Sequence, residues 1–320
     1  MTRIAMFIRM GKPYDDVKTR GRPWLAHLKT KIVSPDLSVY YYIKFMYPDV
    51  KIMKFNRKNF AKINDYKFDR VFAGWEELTL PFMEFAKKDD KIGYNKFVKD
   101  FKNVQNLFPK FKYIEFITDK CKYYAYLKKN GIPVAPTKCF KSRVYKYIKQ
   151  HAFVNDKTKV FMKPTPGGES KNTGSFTRHN SSLENYISTV AQKKYDKLVV
   201  QPYLQNFATK KHPELRTYWI NKQFQYTIST TGKGFDWKRI DTKPSTYILN
   251  KSIKILRLLE TKFKQSSLLT RIDWGYDRSI GFFVNEIEYS PGLFTEMFKN
   301  GGTDWKLDIK IGDQMIRMVR

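Results

Sequence analysis

The alternation of apolar and polar positions is clearest in residues 270–291. Read with a period of two, this stretch predicts a β-hairpin that turns at 277–281 and packs one face against a core. The buried face carries three apolar residues, Ile272, Phe283 and Ile287. The opposite face carries three acidic residues, Asp273, Glu286 and Glu288. We therefore expect three carboxylates to converge on one side of a sheet.

Strand and helix patterns alternate in the first third of the chain. Short apolar runs predict strands at 4–10, 51–55 and 69–74. Helical spacing predicts a helix at 39–46, a second one that starts at 81, and the exposed surface of a third within 87–112. This alternation is typical of a small α/β unit.

The middle of the chain predicts a helix, a glycine-rich loop and two strands. Thr118 or Asp119 can cap a helix with Tyr123, Tyr124 and Leu127 on its buried face, which Gly131 and Pro133 end. Strands are predicted at 160–163 and 198–201, with a glycine-rich loop at 164–175 after the first. A capping box formed by Ser181 and Glu184 predicts a further helix.

The last third is predicted to be a sheet with flanking helices. Strands at 215–220 and 224–230 are expected to pair around an Asn221-Lys222 turn. The spacing of Ile255, Leu258, Leu259 and Phe263 predicts a helix before the acidic hairpin, and 307–319 predicts a closing amphipathic helix. The whole pattern is therefore mixed, α/β at the start and α+β afterwards.

The composition indicates a folded protein with an unusual charge. Hydrophobic residues make up 42% and aromatic residues 16% of the chain, which is more than a disordered polymer carries. No apolar run approaches the roughly 20 residues needed to cross a bilayer, so we expect a soluble cytoplasmic protein without membrane partners. Cys121 and Cys139 have neither metal-site spacing nor the density of a disulfide scaffold, and we expect both to be reduced.

The formal charge of +31, from 61 Lys and Arg against 30 Asp and Glu, favours polyanionic partners. Nucleic acid and phosphorylated or multiply acidic small molecules both fit this field, and an evenly solvated basic surface without function fits it equally well. No zinc-finger, basic-zipper or aromatic RNA-binding signature accompanies the charge, so nucleic acid is not favoured.

Carboxylates placed so close together repel each other and are usually tolerated around a hard cation. Carboxylates together with substrate phosphates are the usual protein ligands of Mg²⁺. The acidic hairpin therefore indicates nucleotide chemistry.

The order of these parts resembles the ATP-grasp superfamily over residues 114–296. The resemblance implies a leading α/β domain (1–113), a central lobe with a glycine-rich lid (114–204) and a C-terminal lobe with the Mg²⁺-binding hairpin (205–320), with ATP between the two α+β lobes. Most members are carboxylate–amine ligases that pass through an acylphosphate, and many form homodimers.

The resemblance also implies roles for residues around the nucleotide. Lys120 and Lys163 look like the two family lysines that contact the phosphates, with Lys163 also at the adenine edge. The backbone of the glycine-rich lid would cover the β- and γ-phosphates through Gly167, Gly168 and Ser170. The segment that reads adenine would contain Gln201, Tyr203 and Leu204.

On the C-terminal lobe, Glu214 resembles the acid that bonds the ribose hydroxyls, and Arg216 and Arg271 would face the acylphosphate. By resemblance Asp273, Glu286 and Glu288 would bind two Mg²⁺ ions, with Mn²⁺ as a substitute. Many members have asparagine where this chain has Glu288, a departure that weakens any close kinship with the peptide-ligase branches.

The resemblance therefore implies an ATP- and Mg²⁺-dependent ligase that forms an amide or peptide-like bond from carboxylate and amine substrates. A kinase acting on an anionic small molecule would use the same site. A nucleic-acid-binding protein with an inactive core is the third hypothesis, and the full set of acidic residues argues against it.

Overall fold

The computed structural model describes most of the chain. The described residues are 1–8, 17–57, 59–74, 78–88, 90–141, 148, 159–167, 172–177, 181–191, 195–231, 237–240, 243–293 and 305–320. None of the helices in these ranges is long and apolar enough to cross a membrane.

The leading part forms a parallel sheet flanked by helices, as the alternating pattern predicted. Its strands lie in the order β4-β1-β5-β6, with bounds β1 (Arg3–Phe7), β4 (Lys51–Phe55), β5 (Arg70–Phe72) and β6 (Leu107–Phe108). The central strand β1 is apolar from Ile4 to Phe7 and fully buried there, because helices cover both faces of such a sheet. The flanking helices are α1 (Pro35–Met46), α2 (Thr79–Lys87) and α3 (Lys91–Lys102). A separate two-stranded ribbon joins β2 (Val17–Lys18) and β3 (Ile32–Val33).

Two consecutive helices connect the leading part to a second sheet. They are α4 (Phe111–Thr118) and α5 (Lys120–Lys129). Asp119 caps α5, as the sequence predicted, because its side chain accepts from the backbone N–H groups of Cys121 and Lys122. The buried face of α5 carries Tyr123, Tyr124 and Leu127.

The second sheet is antiparallel, in the order β7-β10-β8-β9. Its strands are β7 (Lys138–Lys141), β8 (Val160–Thr165), β9 (Gly174–Phe176) and β10 (Lys197–Pro202). Strand β8 runs two residues past the predicted end at Lys163. The helix α6 (Ser181–Asn185) continues as a π-helical stretch, Tyr186–Ala191.

The third sheet has five antiparallel strands in the order β13-β12-β11-β14-β15. Their bounds are β11 (Glu214–Ile220), β12 (Gln223–Thr230), β13 (Trp237–Ile240), β14 (Leu269–Asp277) and β15 (Gly281–Glu288). Asn221 and Lys222 both have positive φ, 44° and 64°, which is the backbone of the predicted two-residue hairpin turn. Helix α7 (Thr246–Phe263) packs on this sheet, where the Trp274 indole donates to Ser252 at 3.0 Å.

The closing helix α8 (Trp305–Arg317) packs against α1 of the leading part. Asp308 of α8 is fully buried and pairs with Arg22 at 3.0 Å, and it also accepts from Ser38 at 2.6 Å. A buried charge is tolerated when it is paired and hydrogen-bonded in this way. The two ends of the chain are therefore joined by a polar contact inside an apolar cluster.

One continuous apolar core joins the three parts of the chain. It contains Phe7 and Phe101 from the leading part, Tyr123 from α5, and Trp219 and Trp274 from the third sheet. A second contact joins the segment after α5 to the third sheet, because the Val284 N–H donates to the Pro133 carbonyl at 2.9 Å. The chain that leaves the end of α5 is thereby bonded to β15.

The expectation that both cysteines are reduced is wrong. Cys121 and Cys139 form a disulfide with a Cα–Cα distance of 6.0 Å. The two residues are 18 positions apart, and the fold brings the first turn of α5 beside the edge strand β7. Sequence spacing alone could not predict this contact, because it depends on how a helix packs against a sheet edge.

Candidate functional site

The predicted site residues meet where the start of α5 and strand β8 approach the third sheet. Lys120 is the first residue of α5 and is buried. Its ammonium donates to the Gly167 carbonyl at 2.6 Å and pairs with Glu286 Oε1 at 2.7 Å. One lysine therefore connects α5, the segment after β8 and strand β15.

Gly167 can take this position only because it has no side chain. A Cβ there would lie 2.7 Å from the backbone oxygen of Pro164, closer than real Cβ atoms approach. The glycine thus lets the backbone fold back tightly and present its carbonyl to Lys120. The other two residues predicted for the lid, Gly168 and Ser170, lie outside the described residues.

Lys163 is the second buried lysine of the site. Its ammonium donates to the Tyr124 hydroxyl at 2.7 Å and to Asn285 Oδ1 at 3.3 Å, and it lies 5.1 Å from the Tyr124 ring centroid. Burial lowers the pKa of the Lys163 ammonium to about 8, and Lys120 adds to that effect while Glu286 opposes it. Lys163 is therefore a cation that is costly to keep charged without an anionic partner.

The register of the third sheet sets the acidic and basic side chains in two rows. Arg216 of β11, Asp273 of β14 and Glu286 of β15 are cross-strand partners. In the neighbouring row, Arg271 of β14 is opposite Glu288 of β15. Residues paired across strands project to the same face of a sheet. The predicted convergence of the three carboxylates on one face is therefore confirmed.

Each of these carboxylates has a basic partner. Arg271 grips Asp273 with two hydrogen bonds of 2.8 and 2.9 Å, and donates to Glu288 at 2.7 Å. Arg216 donates to Glu214 at 3.0 Å and lies 3.7 Å from Asp273. Such two-point contacts between guanidinium and carboxylate fix both groups geometrically.

Burial and charge act in opposite directions on the acidic residues. Burial raises the pKa of the Asp273 carboxyl, although Arg271 and Arg216 work against that rise. Burial also acts to raise the pKa of Glu286, but the charges of Lys120, Arg271 and Lys163 outweigh it and lower the value to about 2. Glu286 is therefore ionised at every physiological pH.

The donor set fits a hard cation, although the carboxylates are not arranged as a cage around one. Among the described residues, no group of three or more acidic, histidine or cysteine side chains is close enough to hold a metal ion. Asp273 and Glu286 are direct cross-strand neighbours and offer carboxylate oxygens, which Mg²⁺ prefers. Lys120 already bonds Glu286 and Arg271 already bonds Asp273, so a cation bound there would share these carboxylates with the two basic side chains.

Neither a protein-family model nor any curated protein matches this sequence. Solved structures do match over nearly its full length. D-cycloserine synthetase DcsG superposes with a TM-score of 0.63 at 15% identity, covering 99% of this chain and 100% of that one. The ATP-grasp ligase PsnB, complexed with a precursor variant, Mg and ADP, gives 0.60 at 14% identity, covering 100% and 99%. D-alanine–D-alanine ligase from Bacillus anthracis gives 0.59 at 11% identity, covering 100% and 97%.

The chain has the ATP-grasp fold. The expected fold class, a leading α/β part followed by two α+β parts, is confirmed. At 15% identity or less, the likeness extends to the fold and not to the reaction.

Within the ATP-grasp fold, the predicted adenine-reading segment lies at the end of β10. Gln201 is buried there, and its side-chain amide donates to Thr137 at 2.8 Å. Tyr203 is 47% exposed and its backbone N–H donates to the Lys159 carbonyl at 2.9 Å. The Leu204 carbonyl accepts from Phe207 at 3.2 Å. These residues surround the end of the sheet that carries Lys163.

Sequence reasoning missed two residues of this candidate site. Tyr124 was assigned only to the core, yet its hydroxyl accepts from Lys163 and donates to the Asn285 carbonyl. In a regular strand Asn285 would lie on the same face as the apolar residues Phe283 and Ile287, so the period of two did not predict it as a site residue. A β-bulge makes Asp273 pair with Glu286 and Trp274 with Val284, so Asn285 is an extra residue that contacts the site. An asparagine beside an acidic strand end is the only sequence signal for it.

Proposed function

We propose that the chain is an ATP- and Mg²⁺-dependent ligase that joins a carboxylate to an amine. The observation that carries this proposal is the contact between Lys120 of α5 and Glu286 of β15, 2.7 Å long, which brings a phosphate-binding cation and a metal-binding anion together. The proposed domains are 1–113, 114–204 and 205–320, with the nucleotide between the second and third.

In the proposed site, Lys120 and Lys163 bind the phosphates of the nucleotide. Two cations on rigid elements offset phosphate charge without needing a Walker-type loop. The backbone at Gly167, Gly168 and Ser170 covers the β- and γ-phosphates and excludes water. Gln201, Tyr203 and Leu204 border the adenine, and Glu214 accepts from the ribose hydroxyls.

Asp273, Glu286 and Glu288 are the proposed metal ligands, with Glu288 available once it leaves Arg271. Mg²⁺ bound there would draw charge from the phosphoryl group that is transferred. Arg271 and Arg216 are placed to stabilise the negative oxygens of an acylphosphate and of the tetrahedral species formed when the amine attacks. No side chain is needed as a covalent nucleophile, so catalysis depends on positioning and charge.

A panel of carboxylates and amines, incubated with ATP and Mg²⁺, tests this proposal through ADP release. We expect Glu286→Ala to fold normally and to lose ADP release with every substrate pair that the wild-type chain turns over. Glu260→Ala is the matched control, because Glu260 of α7 pairs with Lys222 of the β11–β12 turn at 2.6 Å and belongs to no proposed site. Undiminished turnover by Glu286→Ala would refute the assignment.

The same assay separates the ligase from a kinase that acts on an anionic small molecule. A ligase releases one free phosphate for each ADP, because the acylphosphate is consumed by the amine. A kinase releases ADP while the phosphate stays on its product. The charge of +31 is the observation that keeps the kinase as the second candidate.

A further inference from the structure

The Asn285 side chain contacts both a buried lysine of the site, Lys163, and an acidic residue of the third sheet, Glu214. It is the extra residue of the β-bulge in β15, next to the proposed metal ligand Glu286. Its amide oxygen accepts from the Lys163 ammonium at 3.3 Å. Its amide nitrogen donates to Glu214 Oε1 at 2.6 Å. A cation of the second sheet and an anion of the third sheet are thus held by one amide group.

Asparagine is chemically suited to this position. Its side chain carries an acceptor oxygen and a donor NH₂ group on the same carbon, so it can bond a cation and an anion together. Aspartate could accept from Lys163, but it has no donor for Glu214 and would set two carboxylates side by side. Alanine offers neither contact.

The neighbours of Asn285 hold the amide group in place. The Tyr124 hydroxyl donates to the Asn285 backbone carbonyl and accepts from Lys163. The preceding residue, Val284, is fixed by its bond to the Pro133 carbonyl at 2.9 Å. The bulge therefore has bonds to α5, to the segment after it, and to both charged residues.

Glu214 is oriented through both of its oxygens. Oε1 accepts from Asn285 at 2.6 Å and Oε2 accepts from Arg216 at 3.0 Å. A carboxylate accepts about four hydrogen bonds, so Glu214 keeps acceptor capacity for two neighbouring hydroxyl groups. Without the Asn285 amide, the Glu214 carboxylate would lose one of these two hydrogen bonds and could rotate while it keeps the other, to Arg216.

We propose that Asn285 is a positioning residue of the nucleotide site, which sets Glu214 relative to Lys163 so that the sugar and the phosphates of one nucleoside diphosphate are bound together. This inference rests on the proposed function. It assigns to Asn285 no contact with the reacting atoms. It predicts that the loss of the amide reduces recognition of the ribose as well as overall affinity.

The test compares ADP with 2′-deoxy-ADP by calorimetry, in the presence of Mg²⁺, for the wild-type chain and its variants. A hydrogen bond to a charged group contributes about a factor of ten or more to binding, so we expect the wild-type chain to bind ADP at least roughly tenfold more tightly than the deoxy analogue. In Asn285→Ala, ADP affinity should fall by about tenfold and the preference for ADP should shrink to within about twofold.

Asn285→Asp is nearly isosteric, so it tests the chemistry of the side chain without the cavity that alanine would leave. It should bind ADP more weakly than Asn285→Ala, because it adds a negative charge beside Glu214 and the phosphates. Asn130→Ala is the matched control, since the Asn130 side chain donates to the Tyr126 carbonyl of α5 at 2.8 Å, at the far end of the helix. It should retain the wild-type affinity and preference.

The outcomes distinguish a failure of the proposed function from a failure of the positioning role of Asn285. If the wild-type chain binds no ADP, the proposed function fails and this inference fails with it. If the wild-type chain binds ADP and folded Asn285→Ala keeps the same affinity and the same preference over the deoxy analogue, only the positioning role of Asn285 is refuted. A uniform loss of affinity with an unchanged preference also refutes it, because a merely structural residue would give that result.

Discussion

Lys163 is a buried cation of the candidate site. Its ammonium is buried, and its hydrogen-bond partners, Tyr124 and Asn285, are both neutral. Burial lowers the pKa of Lys163 to about 8, because water no longer stabilises the charge. A bound phosphate would restore that stabilisation and raise the pKa of the same ammonium.

We therefore predict a pH dependence of nucleotide affinity. Below pH 8 Lys163 is protonated before ADP arrives, and binding transfers no proton to it. As the pH rises above about 8, binding must take up a proton, so affinity should fall by up to about tenfold per pH unit. Calorimetry in two buffers of different ionisation enthalpy measures this proton uptake directly.

Lys163→Arg is the control for this pH effect. Arginine stays charged throughout the range, so this variant should bind ADP with little dependence on pH between 7 and 9. A slope of wild-type size in Lys163→Arg would show that another group titrates.

Helix α5 carries two residues of the site, Lys120 and Tyr124, and the Tyr124 hydroxyl accepts from Lys163 of β8. Its cap at Asp119 fixes the first turn, and the disulfide from Cys121 to Cys139 ties that turn to β7. The disulfide closes a loop of 18 residues. Closing a loop of that length stabilises a fold by about 3 kcal/mol, chiefly by restricting the unfolded chain.

We predict that Cys121→Ser with Cys139→Ser lowers the free energy of unfolding by about 2–4 kcal/mol. Urea unfolding of the double variant and of the wild-type chain, without reductant, measures the difference. The reduced wild-type chain should match the double variant. Two free thiols in the native, unreduced protein, together with equal unfolding midpoints, would contradict the pairing.

The sequence predicted those elements whose signals are local. The cap at Asp119, the Asn221-Lys222 turn and the acidic hairpin follow from side-chain chemistry and a period of two, and the structure confirms all three. The bulge at Asn285 could not be predicted in this way. It depends on Val284 docking against Pro133, a contact made by a distant segment.

The formal charges of the site residues cancel, whereas the rest of the chain is strongly basic. The site contains four basic residues, Lys120, Lys163, Arg216 and Arg271, and four acidic residues, Glu214, Asp273, Glu286 and Glu288. The formal charge of +31 therefore comes from the rest of the chain. Such a field speeds the approach of anionic nucleotides, while selectivity depends on the site itself.

The sequence predicted the acidic residues of the site but not the ion pairs that they form. Residue types and strand parity were enough to predict which acids share a face. They could not predict that Arg271 holds both Asp273 and Glu288, or that Lys120 holds Glu286, because these contacts depend on register and on packing between sheets. A metal bound by the proposed ligands would therefore share these carboxylates with Lys120 and Arg271.

The most direct test of this account is a calorimetric titration of the chain with ADP and excess Mg²⁺ at pH 7. We predict saturable binding to one site with a Kd on the order of 1 mM or tighter. Affinity should fall at least about tenfold in Lys120→Met and remain unchanged in Lys129→Met, which alters an exposed lysine at the other end of α5. No saturation at millimolar nucleotide, or equal affinity of Lys120→Met and the wild-type chain, would contradict the account.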